Sequence, residues 1–207
     1  VTGRFLSLEG GEGVGKSTQV QRLAAALEAR GLSVVLTREP GGTDGAEAIR
    51  SLLMQGAVNR WSGRAETLLF AAARADHVEK RIRPALAAGS WVLCDRYVDS
   101  TRAYQGAQGI DDDAILSLHA FGAQGLLPDR TLVLDMPDGA GHARSLARDG
   151  GAADRFGARG AGFHAAVAAQ FRRIAAAEPE RVRLIDASGS VDDVTTSLID
   201  ALGDLLP

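Results

Sequence analysis

The chain of 207 residues carries a single cysteine, Cys94, so no internal disulfide framework can form. Lysine is almost as scarce: Lys16 and Lys80 stand against 21 arginines. No stretch approaches the roughly 20 consecutive apolar residues needed to span a bilayer. The opening segment, Val1 to Leu8, has neither the basic start nor the apolar run of a signal peptide. The formal net charge is -3, which removes the overall basic field that would hold nucleic acid. These absences predict a cytoplasmic protein without a nucleic-acid or membrane partner.

What is present is alternation. With 45% hydrophobic residues, the chain can bury one sizeable core. Apolar, β-prone runs at Phe5–Leu8, Val34–Leu36, Trp91–Cys94, Thr131–Leu134 and Val182–Ile185 read as five strands. Helical spacing separates them. It covers Ser17–Arg30, Gly45–Gln55, Arg64–Ala88 (which Pro84 should kink or split), Asp99–Gln108, Asp111–Gln124, a helix reaching about Arg148, Phe163–Ala177 and Val191–Leu206. Asp149 to Gly162, rich in Gly, Ala and charge, reads as a mobile lid loop. The expectation is an α/β fold: one domain over residues 1–207, with a five-stranded parallel sheet flanked by helices on both faces and a short lid at 149–162. Ligands in such sheets bind at the carboxyl ends of the strands, and the polar clusters at Glu9, Thr37, Asp95 and Asp186 follow strands directly.

Gly10-Gly11-Glu12-Gly13-Val14-Gly15-Lys16-Ser17 matches G-x-x-x-x-G-K-[ST], with a strand before it and a helix after it. Glycines let backbone N–H groups converge on phosphate oxygens, and the helix N-terminus adds about half a positive charge. Lys16 can reach the β- and γ-phosphates of ATP, and Ser17 can ligate Mg²⁺. Asp95, after the third strand, can serve the same metal shell. Glu12 is odd in such a loop: pointed inward it would repel ATP, so it should turn toward a hydroxyl or a cation.

Arg96, beside Asp95, is not what a plain ATPase needs. When a phosphoryl group passes to a phosphate acceptor, two anions must approach, and an Arg fork offsets the repulsion while gripping the acceptor. Arg38 follows the second strand within Arg38-Glu39-Pro40-Gly41-Gly42-Thr43, which taken alone is a charged turn. Phe70 and Arg74 are four residues apart on one helix face, where a ring could stack on a base and a guanidinium could bond its edge; taken alone such a Phe belongs to a core. The histidines at 77, 119, 142 and 164 show no metal spacing, Cys94 reads as core, and Lys80 as a solvated surface residue.

At this point the chain resembles the thymidylate kinase (dTMP kinase) family of phosphate-loop nucleoside-monophosphate kinases. The resemblance rests on Phe5 to Thr18, Thr37 to Thr43, Phe70 to His77, Pro84 to Leu86, Asp95-Arg96-Tyr97, Ser100-Thr101, Ala103-Tyr104-Gln105-Gly106, Asp154-Arg155-Phe156 and Asp186-Ala187-Ser188. It implies a homodimer and the reaction ATP + dTMP → ADP + dTDP. It also implies an ATP site over Gly10 to Thr18 and a substrate site in which Phe70 stacks on thymine, Arg74 bonds its edge and Gln105 lines the base pocket. Arg38 and Arg96 would hold the phosphate, with Ser100 in the same set. Tyr104 would crowd the sugar 2′ position, Glu12 would meet the 3′-hydroxyl, and the Asp186 to Gly189 turn would lie near adenine. Some members carry an Arg inside the phosphate loop. Here Glu12-Gly13-Val14 stands there, as in the bacterial type, whose basic residues come from the lid: Arg144, Arg148, Arg155 or Arg159, with Arg148 as first choice for a catalytic cation.

A phosphate monoester is largely dianionic at neutral pH, its second pKa being about 6, so the acceptor needs no general base. Lys16, Mg²⁺, Arg96 and a lid arginine would act by position and charge. The rival readings are a deoxynucleoside kinase or other monophosphate kinase, and a nucleotide-binding switch. The Arg-rich acceptor side disfavours a nucleoside kinase. The chain has no Asn-Lys-x-Asp motif, which disfavours a GTPase switch.

Overall fold

The computed structural model describes residues 3–137, 139–141, 143–144 and 155–207. Five strands form one sheet: β1 (Phe5–Gly10), β2 (Val34–Arg38), β3 (Trp91–Asp95), β4 (Arg130–Asp135) and β5 (Val182–Asp186). Every pairing is parallel and the order is β2-β3-β1-β4-β5. The helices are α1 (Lys16–Glu28), α2 (Asp44–Met54), α3 (Gly63–His77), α4 (Arg83–Ala87), α5 (Val98–Gly106), α6 (Asp112–Gly122), α7 (Ala161–Ala177) and α8 (Val191–Asp200). Among the described residues, no helix is long and apolar enough to cross a membrane.

The period of two along each strand sorts the core onto the two faces of the sheet. Leu6, Leu8, Leu93, Leu132 and Leu134 point one way and pack with Leu23 and Leu27 of α1 and Leu198 of α8. On the other face Phe5, Val92 and Cys94 meet Val78, Ile82 and Tyr97, while Val133 meets Val167 and Phe171 of α7. Each such leucine, removed from water, contributes about 1.5–3 kcal/mol. Cys94 is fully buried, as expected for a core residue, and Lys80 is a surface residue paired with Asp76 one helical turn away. Ser7, Thr131 and Asp99 form a buried hydrogen-bonded chain (3.2 and 2.9 Å) that Arg181 and Arg102 complete with charge.

Most boundaries shift by one or two residues from the sequence pattern; three places stand out. The stretch expected as one helix over 64–88 does divide. The division falls at a wider π-helical turn, Val78–Ile82, just upstream of Pro84. Proline gives no N–H and its ring crowds the carbonyl four residues back, and the wider turn relieves both. The closing helix stops at Asp200, and 201–205 continue as turns.

The third place is the lid. Residues 149–154 lie outside the described residues, as does Arg148. Residues 155–160 run as turns and a bend in which Arg155 and Phe156 are buried, and α7 already begins at Ala161. Glycine content argues for freedom, but an arginine with a buried acidic partner and a phenylalanine with ring neighbours override it.

Candidate functional site

β1 lies centrally, between β3 and β4, and the loop after it opens at the carboxyl edge of the sheet. Gly10 has φ +134°, and a Cβ there would stand 2.5 Å from the Leu134 carbonyl oxygen, so only glycine lets the loop leave β1 this close to β4. Gly15 caps α1 at φ +97° without a side-chain hydrogen bond, and the first turn holds no acidic residue. The first N–H groups of α1 are thus available to an anion. Lys16 folds back over the loop, donating to the carbonyls of Gly10 (3.0 Å) and Gly11 (2.5 Å). Burial and the neighbouring Arg96 push its ammonium down to about 8, against the pull of Glu12, Asp95 and Glu9.

Arg96 stands next to Lys16, held at φ +69° directly after β3, and shares the Gly10 carbonyl with it. Its backbone N–H donates to Leu8 (3.0 Å). Glu9, buried at the end of β1, accepts from the N–H of Tyr97 (2.6 Å) and the hydroxyl of Ser100 (2.5 Å), bracketing that left-handed turn. Burial, then the charge of Asp99, raises the Glu9 carboxyl to about 8. The Arg96 guanidinium donates to Gly10 O, Ser100 Oγ, Glu12 Oε1 (2.7 Å) and Tyr104 Oη. Tyr104 also donates to Glu12 (2.9 Å). Burial opposes ionisation of Glu12, but Arg96, Lys16 and the Tyr104 hydroxyl outweigh it and hold the carboxyl down to about 2. Glu12 therefore faces a cation and a hydroxyl, as its odd position in the loop required.

These groups border one cleft of about 270 Å³. The expected residues Glu12, Gly13, Gly15, Lys16, Ser17, Thr18, Arg38, Phe70, Arg74, Asp95, Arg96, Ser100, Tyr104 and Gln105 all line it. Gly10, Gly11 and Val14 do not: Gly10 pairs with Leu134 of β4, and Val14 turns into the core. What they can offer a phosphate is backbone alone. The Asp186 to Gly189 turn lies at the end of β5, outside the cleft lining.

In the cleft wall, Phe70 meets Phe156 at 5.7 Å, and Tyr104 meets the same ring at 6.2 Å. Arg74 is buried, donating to Glu39 (2.8 Å) and Thr101 (2.9 Å), and it lines the cleft. His77 joins Glu39 (3.0 Å) to Thr37 (2.6 Å), a structural role. Gln105 Oε1 is buried without a hydrogen-bond partner. Arg38 is at the rim, bound to Glu47. Asp95 Oδ1 is likewise buried and unpartnered, and Asp95 and the exposed Ser17 both line the cleft. A hard oxygen ligand and a hydroxyl at the phosphate loop fit the shell of a Mg²⁺ ion.

Arg50 and Phe156, which the sequence pattern does not single out, also line the cleft. Arg50 sits on α2 and donates to the Pro40 carbonyl, a contact that no local pattern announces. Two of the expected lid cations have partners elsewhere. Arg155 and Arg159 do not reach the phosphate loop; both bind Glu66 on α3. Arg155 further donates to the carbonyls of Leu53 and Val58, so each of its three guanidinium nitrogens has a partner. Arg144, the described candidate nearest β4, is exposed and contacts Met136.

The thymidylate kinase family model matches residues 8–198. Among curated proteins, the chain is 63% identical over 206 residues to the thymidylate kinase of Rhizorhabdus wittichii, covering 99% of each chain. To that of Caulobacter vibrioides it is 51% identical over 203 residues, covering 97% of this chain and 96% of the relative. Among solved structures, the thymidylate kinase from Ehrlichia chaffeensis superposes with a TM-score of 0.77 at 33% identity, over 99% of this chain and all of that one.

Proposed function

The chain belongs to the thymidylate kinase family, and we propose that this cleft transfers the γ-phosphoryl group of ATP to the phosphate of dTMP, yielding ADP and dTDP. The observation that carries the reading is the presence, in the wall of one cleft, of an uncapped phosphate loop and a fixed arginine fork bonded to it. ATP phosphates rest on the loop from Gly10 to Thr18 and on Lys16. The dTMP phosphate is gripped by Arg96, with Ser100 fixing the fork and Arg38 joining from the rim. Phe70 stacks on the base, Arg74 bonds its edge, and Gln105 Oε1 accepts a ring N–H. Tyr104 excludes a 2′-hydroxyl and Glu12 accepts the 3′-hydroxyl.

Mg²⁺ held by Ser17 and Asp95 would neutralise charge on the ATP phosphates. Arg148 remains our choice for the lid cation, since Arg155 and Arg159 are committed to Glu66. Glu12, held at about 2, is a very weak base for a hydroxyl acceptor, Glu39 is bound by Arg74 and His77, Asp95 would be taken by the metal, and Glu9 is sealed in. A dianionic phosphate acceptor needs none. The cytoplasm, where ATP and nucleotides are at hand, is the proposed location.

A coupled ADP-release assay over dTMP, dUMP, dCMP, UMP and thymidine tests the reading. dTMP is expected to give the highest kcat/KM and thymidine almost no turnover; a preference for thymidine would sink it.

We also propose that the protein works as a homodimer through the packed pair α3 and α6. Phe121 on α6 is 89% exposed and Leu68 on α3 is 56% exposed, more than a monomer surface needs to leave bare. Phe121→Glu is expected to shift the sedimentation coefficient from dimer to monomer. A parent chain that sediments as a monomer at micromolar concentration would remove the proposal.

A further inference from the structure

Glu66 takes no part in the scheme above, yet it is fully buried on α3. Its carboxylate collects donors from two other parts of the chain. Arg155 and Arg159 come from the segment before α7, Arg159 at 2.9 and 3.2 Å. Gln105 (3.3 Å) and Gln108 (3.0 Å) come from α5 and the turn after it. Glu66 itself does not line the cleft, but Gln105 does.

A carboxylate paired with two guanidinium groups has no hydrogen to give, so every neighbour must donate to it. The Gln105 carboxamide can meet that demand only with its NH₂ end. Its other end, Oε1, is then committed to the opposite side, where it is buried and unpartnered in a residue of the cleft wall. An acceptor in that state calls for a donor from the ligand.

We propose that Glu66 is the positioning residue that sets base preference: by permitting one orientation of the Gln105 amide, it selects a base with a ring N–H over a base whose ring nitrogen carries a lone pair. Thymine and uracil present N3–H; cytosine presents a bare N3. The same carboxylate anchors the two arginines whose guanidinium groups flank the Phe156 ring, at 5.1 and 5.3 Å from its centroid. The ring that closes the base slot and the amide that reads the base thus share one anchor. This inference rests on dTMP being the acceptor and deepens that reading.

Glu66→Gln replaces an acceptor-only group with one that also donates, so both amide orientations of Gln105 become allowed. The test compares kcat/KM for dTMP, dUMP and dCMP. The dTMP:dCMP and dUMP:dCMP ratios are expected to fall about tenfold or more, as a polarity mismatch at a buried hydrogen bond demands. The dTMP:dUMP ratio should not move, because both bases carry N3–H. Loss of the anion leaves two buried guanidinium groups, so Glu66→Gln/Arg159→Met, which restores the local net charge, guards against misfolding and should show the same ratios. Gln105→Leu, run in parallel, reports on the base contact itself. If Gln105→Leu changes the dTMP:dCMP ratio and the Glu66 variants do not, the proposal is overturned while dTMP stands as acceptor. An equal loss on all three nucleotides in the Glu66 variants would mark a purely structural role and overturn it too. If the parent protein does not phosphorylate dTMP, the underlying reading fails instead.

Discussion

Lys16→Met is expected to abolish most turnover while making the folded protein more stable. The loss follows from position. The ammonium lies over the phosphate loop, where charge shifts between donor and acceptor, and removing one such preorganised donor costs roughly 10²- to 10³-fold in kcat. The gain in stability follows from burial. The ammonium titrates at about 8 in the folded chain, below its ordinary 10.5, with burial as the main cause and the Arg96 charge second. Folding therefore disfavours the proton. The penalty is full below about pH 8 and disappears above 10.5. Methionine fills nearly the same volume without the charge, so Tm at pH 7 should rise by a few degrees, and the difference from the parent should shrink above pH 10. Steady-state assays with saturating ATP and dTMP, beside thermal melts across pH, check both halves. A folded Lys16→Met protein with near-normal kcat would exclude the phosphate-loop mechanism. A lower Tm would show that the hydrogen bonds to Gly10 and Gly11 outweigh the cost of the buried charge.

The parts of this molecule that were legible in its sequence are those whose causes are local. The five strands are short apolar runs between helical periods, and the sheet places them as the pattern implies. The phosphate loop is a local backbone requirement written in glycines. Glu12 could be placed by a charge argument, since a carboxylate among phosphates must find another partner, and it found Arg96 and Tyr104. Arg155 and Arg159 were not legible, because their partner Glu66 lies far back on α3 and nothing near either arginine announces it. For the same reason the sequence hid Phe156, whose ring lines the cleft against two arginines that Glu66 holds. Glu9 read as a polar strand end. Its grip on Tyr97 and Ser100, which braces the left-handed turn at Arg96, depends on the β1–β3 pairing that brings them together.

Arg96→Ala is expected to cut kcat/KM for dTMP by on the order of 10³-fold or more, with a much smaller change in KM for ATP. Two losses combine. The acceptor phosphate loses its fork, and the negative charge that builds between the two phosphates loses a counter-charge. A third effect lands on Glu12, which keeps an ionised carboxyl chiefly against burial and chiefly because of Arg96. Without the guanidinium, burial pushes that carboxyl up, and a partly buried anion is left with Lys16 and the Tyr104 hydroxyl. Breaking this pair should cost about 2 kcal/mol, the middle ground between exposed and fully buried ion pairs, and Tm should fall. The two consequences separate in Arg96→Ala/Glu12→Gln. Removing the stranded charge should recover most of the lost Tm, because the amide still accepts from Tyr104 and needs no cation. Turnover should not return, because the phosphate still has no fork. Melting curves and initial rates on the single and double variants make the comparison. Recovered activity in the double variant would mean that Arg96 serves mainly to neutralise Glu12, and the grip on the acceptor phosphate would then have to come from Arg38, with Arg50 beside it in the cleft wall.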